Sequence, residues 1–202
     1  MIAVLDYGVG NLFSLCSSLN YIGAEAVVTA EEAVIRNCSH VILPGVGAFG
    51  DAVEKLRASG LDQVLMREVA SGKPLLGTCL GMQLLFEKSY EYGCHDGLGL
   101  ISGEVVPMKG RIPENLKIPH IGWNALDVRQ NIPLLKYVKP GDHVYFVHSY
   151  FVDGGHENAA AVTEYGLPIC AAAAKGNVMG CQFHPEKSGE VGLGIMKAFC
   201  QM

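Results

Sequence analysis

The segment Lys73-Pro74-Leu75-Leu76-Gly77-Thr78-Cys79-Leu80-Gly81-Met82-Gln83-Leu84-Leu85-Phe86 places a cysteine in a turn between two regular elements. Pro74–Gly77 reads as a short buried strand and Met82–Lys88 as a helix. Between them lies a G-x-nucleophile-x-G pattern with cysteine at the nucleophile position, the arrangement of a nucleophile elbow. Such a turn is sharp, and side chains at positions 77 or 81 would meet neighbouring backbone. The central residue then projects from the C-terminal edge of the sheet, where open α/β folds bind ligands. The N-terminus of the following helix adds partial positive charge, which favours thiolate over thiol. An isolated cysteine is more often an apolar filler of the core. Two glycines at the required offsets, set between strand and helix, weight this one toward chemistry. Cys16, Cys38, Cys94, Cys170, Cys181 and Cys200 have no such setting.

Upstream of this turn, strand-like and helix-like runs alternate. Ile2–Asp6, Ala26–Thr29 and Val41–Leu43 read as strands. Asn11–Ile22 (ending at Gly23), Asp51–Ala58 and Leu61–Ser71 read as helices. This rhythm predicts a parallel sheet covered by helices on both faces. Downstream, Glu104–Met108, Ala125–Val128, His143–Val152, Ala159–Glu164, Ile169–Lys175 and Val178–Phe183 are strand-like runs separated by Gly, Pro and Asn turns. Antiparallel pairing is expected there, with a closing helix over Glu190–Met202. The expectation is one α/β domain over residues 1–202, with a mixed, mostly parallel sheet and flanking helices.

A cysteine nucleophile needs a base. His184 lies in Gln182-Phe183-His184-Pro185-Glu186-Lys187-Ser188, directly after a strand pattern. Residues two apart on extended backbone face the same side, so His184 and Glu186 can converge on one place, with Pro185 fixing its own φ between them. A carboxylate on one imidazole nitrogen sets the tautomer and leaves the other nitrogen for the thiol. The other histidines lack an acid at this offset, and His148 ranks second as a base.

Gly45-Val46-Gly47-Ala48-Phe49-Gly50 matches the dinucleotide fingerprint G-x-G-x-x-G, with Glu68 near the distance expected of a ribose-binding acid. The preceding Pro44 and the helical setting of Glu68 argue against that use. Acyl chemistry at Cys79 generates an oxyanion, which backbone amides stabilise. The glycine-rich loop can supply one such amide and Leu80 the other.

Composition narrows the function classes. Half of the 202 residues are hydrophobic, 17% are charged and the formal net charge is −5. A core is therefore affordable, and nucleic-acid binding is not expected. No apolar run reaches the length of a membrane span. Met1-Ile2-Ala3-Val4-Leu5 lacks the basic region of a signal peptide. Seven irregularly spaced cysteines with no CxxC pair form neither a disulfide framework nor a zinc site, and fit a cytoplasmic location.

The loop Pro44–Gly50, the elbow Gly77–Gln83 and the segment Phe183–Ser188 together resemble the class I, triad-type glutamine amidotransferases, which have a flavodoxin-like fold. Asp6-Tyr7-Gly8-Val9-Gly10-Asn11-Leu12, Gly97-Leu98-Gly99-Leu100-Ile101, Pro119-His120-Ile121-Gly122-Trp123-Asn124 and Tyr145-Phe146-Val147-His148-Ser149-Tyr150 narrow the resemblance. Together they are similar to glutaminase subunits of imidazole glycerol phosphate synthase. These motifs run the length of the chain. Ile121, where methionine is frequent, and the unusual stretch Tyr90–Asp96 depart from the pattern.

The resemblance implies that Cys79 attacks the carboxamide of L-glutamine, with His184 as base and then acid and Glu186 orienting it. The amides of Val46 and Leu80 form the oxyanion hole. Gly45, Gly47, Gln83, Ser149 and Tyr150 hold the substrate. A loop switch at Gly45 and Gly47, turning the Val46 amide, is expected to accompany stimulation. Neither metal nor organic cofactor is called for. The implied partner is a cyclase subunit with a (β/α)₈ barrel, forming a heterodimer that uses the ammonia for imidazole ring formation in histidine biosynthesis. Asn11, Pro119 and Trp123 fall at the implied interface. A lone tryptophan otherwise favours the core, and Asn11 also suits a helix N-cap. Alternatives are the glutaminase of pyridoxal phosphate synthesis, which the P-H-x-G-W-N motif opposes, a nucleotide-binding protein, and a catalytically silent subunit.

Overall fold

The computed structural model describes residues 1–202. Fourteen strands follow one another as β1 (Ile2–Leu5), β2 (Ala26–Thr29), β3 (His40–Leu43), β4 (Leu75–Thr78), β5 (Lys88–Ser89), β6 (His95–Asp96), β7 (Glu104–Pro107), β8 (His120–Ala125), β9 (Asp127–Val128), β10 (His143–His148), β11 (Tyr150–Asp153), β12 (Ala159–Glu164), β13 (Pro168–Lys175) and β14 (Val178–Cys181). The α-helices are α1 (Leu12–Tyr21), α2 (Glu32–Asn37), α3 (Phe49–Ala58), α4 (Leu61–Ala70), α5 (Leu80–Leu84) and α6 (Gly189–Cys200).

The main sheet has the order β2-β1-β3-β4-β14-β13-β12-β9. Its first five strands are parallel, and β13, β12 and β9 continue it antiparallel. The mixed α/β architecture thus agrees with the expectation. Strand β1 shows how the sheet is buried. Ala3 and Leu5 join one core with Phe49, Leu56, Leu61 and Leu65 of α3 and α4. Ile2 and Val4 join the other, with Leu15 and Leu19 of α1 and Ile195 and Phe199 of α6. This is period-two alternation with apolar residues on both faces, as expected for a parallel sheet between helical layers.

Several local expectations need correction. The run 178–183, expected to pair antiparallel, lies parallel beside β4 on one side. The run 125–128 is the end of β8 followed by the separate β9. Helix α5 stops at Leu84 instead of running to Lys88. Its exit carbonyls are taken by the glycine-rich segment beyond it: Leu98 donates to Leu84, Leu100 and Ile101 to Leu85, and Gly99 to Phe86. The run 143–152 is two strands, breaking at Ser149 because β10 pairs with β8 and β11 with β7. Strand β14 ends at Cys181, two residues short of Phe183. Helix α2 and the short pairing of β5 with β6 lie in stretches with no strong periodic signal.

The sheet order fixes where chemistry occurs. Strands β3, β4 and β14 are adjacent and parallel, so the segments leaving them emerge side by side at one edge. Those segments are Pro44–Ala48, Cys79 and Gln182–Glu186. The two smaller sheets, β10-β8 and β11-β7-β5-β6, bring Pro119, Ser149 and Tyr150 to the cavity at that edge.

Candidate active site

Cys79 sits at φ 54° and ψ −115° between β4 and α5. Backbone crowding explains the flanking glycines. A Cβ at Gly77 would lie 2.6 Å from the Gly81 carbonyl oxygen, and one at Gly81 would overlap the Leu43 carbonyl. Gly45 serves the same close approach from the other side, since its Cβ would lie 2.5 Å from the Gly81 amide nitrogen. Gly47 differs: it has open space around it and φ +92°, so it supplies conformation. The chain therefore turns sharply at Cys79 with the loop after β3 pressed against it.

His184 and Glu186 come together, though not on extended backbone. His184 precedes a 3-10 turn at Pro185–Lys187, and its Nδ1 lies 2.8 Å from Glu186 Oε1. Both side chains are buried, and Glu186 Oε2 has no partner. Burial pulls the imidazole's pKa down. Hydrogen bonds and charge from Cys79 and Glu186 outweigh that and push it up to about 9. With Nδ1–H donating to the carboxylate, Nε2 is left for the sulfur of Cys79.

His148, the second choice of base, is engaged elsewhere. Its Nδ1–H donates to the Tyr150 carbonyl at 2.8 Å, and its other nitrogen lies 3.0 Å from Nδ1 of His120. Burial pushes it down to about 3, so it is neutral.

Cys79 and His184 line a cavity of about 330 Å³ with Val46, Gly47, Leu80, Gln83, Glu91, Pro119, Ser149 and Tyr150. Every residue singled out for catalysis, oxyanion binding or substrate contact thus lies in or beside one cavity, Gly45 and Glu186 just behind its wall. The amide of Val46 makes no hydrogen bond within the fold. The amide of Leu80 opens α5, where helix donors lack internal partners.

Gln83 has a defined orientation. Its Nε2 donates to the Tyr150 carbonyl at 3.1 Å and to Gln182 Oε1 at 2.8 Å. A main-chain carbonyl accepts only, so the atom facing Tyr150 must be the NH₂ group. The side-chain carbonyl of Gln83 has no partner and is not sealed off.

Glu91 escaped the sequence analysis because the stretch around it carries no motif or periodicity. One of its carboxylate oxygens accepts the Phe49 amide at 2.6 Å, capping α3. Burial raises its pKa, and the Phe49 amide opposes that rise. This contact also disposes of the dinucleotide reading: the helix end that would face a phosphate already holds a carboxylate. Glu68 pairs with Lys73 at 2.6 Å.

The interface candidates are placed as follows. Asn11 caps α1, accepting from the Ser14 amide at 3.3 Å. Phe13 beside it is 84% exposed. On β8, His120 faces inward, whereas Ile121 and Trp123 face out at 58% and 54% exposure. Trp123 leans edge-on against Tyr145. No cluster of His, Cys, Asp or Glu has metal-binding geometry, and no helix is long and apolar enough to cross a membrane.

Comparison with known structures supports the fold. The crystal structure of a glutamine amidotransferase superposes with a TM-score of 0.75 at 20% identity, covering 98% of each chain. PurLQS from Thermotoga maritima gives 0.74 at 19% identity, covering 99% of this chain and 97% of that one. The family model for glutamine amidotransferase class-I matches residues 3–200. The imidazole glycerol phosphate synthase subunit HisH of Caldanaerobacter subterraneus subsp. tengcongensis is 50% identical, over 100% of this chain and 98% of its own. The same subunit from Wolinella succinogenes is 47% identical over the full length of both. The chain belongs to the class-I glutamine amidotransferases and, within them, to the HisH subunits of imidazole glycerol phosphate synthase.

Proposed function

We propose that residues 1–202 act as one glutaminase domain, that Cys79, His184 and Glu186 are its catalytic triad, and that the ammonia released passes to a cyclase subunit. The observation that carries this is the Cys79 elbow sharing one cavity with a histidine already tied to a buried carboxylate. His184 Nε2 takes the thiol proton, and the sulfur attacks the carboxamide carbon of glutamine as a thiolate paired with the imidazolium. The tetrahedral oxyanion lies between the amides of Val46 and Leu80. His184 returns the proton to the leaving nitrogen, the C–N bond breaks, and ammonia departs from a γ-glutamyl thioester. Water, deprotonated by His184, then attacks the thioester. Glutamate leaves, and the imidazolium reprotonates the sulfur.

The free carbonyl of Gln83 and the carboxylate of Glu91 are two acceptors in the same cavity. Acceptors so placed suit the α-ammonium of the substrate. Ser149 and Tyr150 complete the amino-acid end.

The partner is a (β/α)₈ cyclase subunit, supported by the names of the relatives and by the outward apolar face of β8 and α1. A dry junction keeps ammonia from protonation and dilution. The odd number and irregular spacing of the seven cysteines support a reducing, cytoplasmic setting. The test is glutamate release by wild type and Cys79→Ala, alone and with the cyclase subunit and its nucleotide ligand. Stimulated release that vanishes in Cys79→Ala is expected. Release indifferent to the cyclase overturns the partner, and release by Cys79→Ala overturns the nucleophile.

A further inference from the structure

Gln182 is a polar side chain where the fold asks for an apolar one. It follows β14, is fully buried, and stands between Cys181 and Phe183, which are also fully buried. Its own amide nitrogen, Nε2, finds no acceptor. A buried NH₂ without a partner costs stability, and an apolar residue of similar volume would avoid that cost. Its only side-chain hydrogen bond is the one its Oε1 accepts from Gln83 Nε2 at 2.8 Å.

That single bond has a consequence in the cavity. Both amide hydrogens of Gln83 are used, one by the Tyr150 carbonyl and one by Gln182. The carbonyl is thereby the group presented to a ligand. If the amide rotated by half a turn, its NH₂ would face the cavity beside Glu91, and a ligand's ammonium would meet a donor. Without Gln182, the Tyr150 carbonyl alone opposes that rotation, through the longer of the two bonds.

We propose that Gln182 is a positioning residue that fixes the amide of Gln83 and thereby tunes the site for substrates carrying an α-ammonium group. The proposal rests on the assignment of Gln83 and Glu91 to that ammonium. It makes Gln182, adjacent in sequence to Phe183-His184, a determinant of specificity that never touches the substrate.

The experiment is calorimetric binding of glutamine and of glutaramate, which is glutamine without its α-amino group. It uses the full chain carrying Cys79→Ala, with and without Gln182→Met. With Gln182 present, glutamine binds more tightly than glutaramate. Gln182→Met weakens glutamine by about 3- to 10-fold, the worth of one net hydrogen bond, and leaves glutaramate unchanged. Unchanged glutaramate binding also reports an intact cavity, and Gln182→Leu gives the same pattern should the methionine variant fail to fold. Equal weakening of both ligands would reduce Gln182 to packing and overturn the proposal, as would no change in either. Equal affinity of the two ligands with Gln182 in place would overturn the ammonium assignment first, and the proposal with it.

Discussion

The backbone of Cys79 can be tested apart from its sulfur. At φ 54° and ψ −115° the residue occupies a region that a Cβ nearly closes, at a cost of about 1–3 kcal/mol. Cys79→Ala removes the sulfur and keeps the Cβ, hence the strain. Cys79→Gly removes both. Against the strain relief stand about 0.5–1 kcal/mol of extra unfolded-state entropy and less than about 0.8 kcal/mol of lost burial for one carbon at the cavity wall. The balance favours glycine by about 1 kcal/mol, a melting temperature higher by about 2–4 °C for a domain of this size. The sign is diagnostic, because replacing alanine with glycine in regular structure destabilises by about the same amount. Both variants lack the proposed nucleophile, so ligand turnover does not confound the measurement. Guanidinium titration and scanning calorimetry of the pair give the answer. A glycine variant less stable than the alanine variant would refute a strained elbow.

Four further outcomes are expected. Gly81→Ala destabilises by about 3 kcal/mol, because the new Cβ meets the backbone carbonyl of Leu43, which cannot move aside. Gly194→Ala, within α6 and with only ordinary contact to Tyr137 at 3.5 Å, stabilises by about 0.5–1 kcal/mol; denaturant titration reads both. His184 gains stability from a folded pKa raised to about 9. That contribution is complete below pH 6.5, the unfolded value, and is lost as pH rises through 9, a fall of about 3 kcal/mol that a His184→Asn control lacks. Trp123→Ala changes stability by less than about 0.5 kcal/mol, yet weakens binding of the cyclase subunit by about 2 kcal/mol in titration calorimetry.

The elbow and the residues of the proposed triad were legible because their geometry is local. Gly77, Gly81 and Cys79 belong to one turn, and His184 and Glu186 to one four-residue segment. The alternation that makes β3 and β4 parallel strands also follows from short-range patterns, whereas β14 was expected in the antiparallel half and lies parallel beside β4. What was not legible depends on distant partners. Glu91 enters the cavity only because the stretch containing β5 and β6 folds back on α3, and nothing in residues 90–96 signals that. The early stop of α5 is set by Gly97–Ile101 capturing its carbonyls. His148 looked usable as a base until its two nitrogens proved occupied by Tyr150 and His120. The amide of Gln83 donates to Tyr150 and Gln182, 67 and 99 positions away. The extended-backbone argument brought His184 and Glu186 together, and they do hydrogen-bond, but across a 3-10 turn instead of along an extended strand.

The central claim is that glutamine is hydrolysed through a covalent bond to Cys79. Its most direct test is mass spectrometry of the full chain with the cyclase subunit and its nucleotide ligand, acid-quenched during glutamine turnover. The account predicts a γ-glutamyl adduct on the peptide containing Cys79, absent from Cys79→Ala together with glutamate release. Glutamate formation with no adduct at Cys79, persisting in Cys79→Ala, would contradict it.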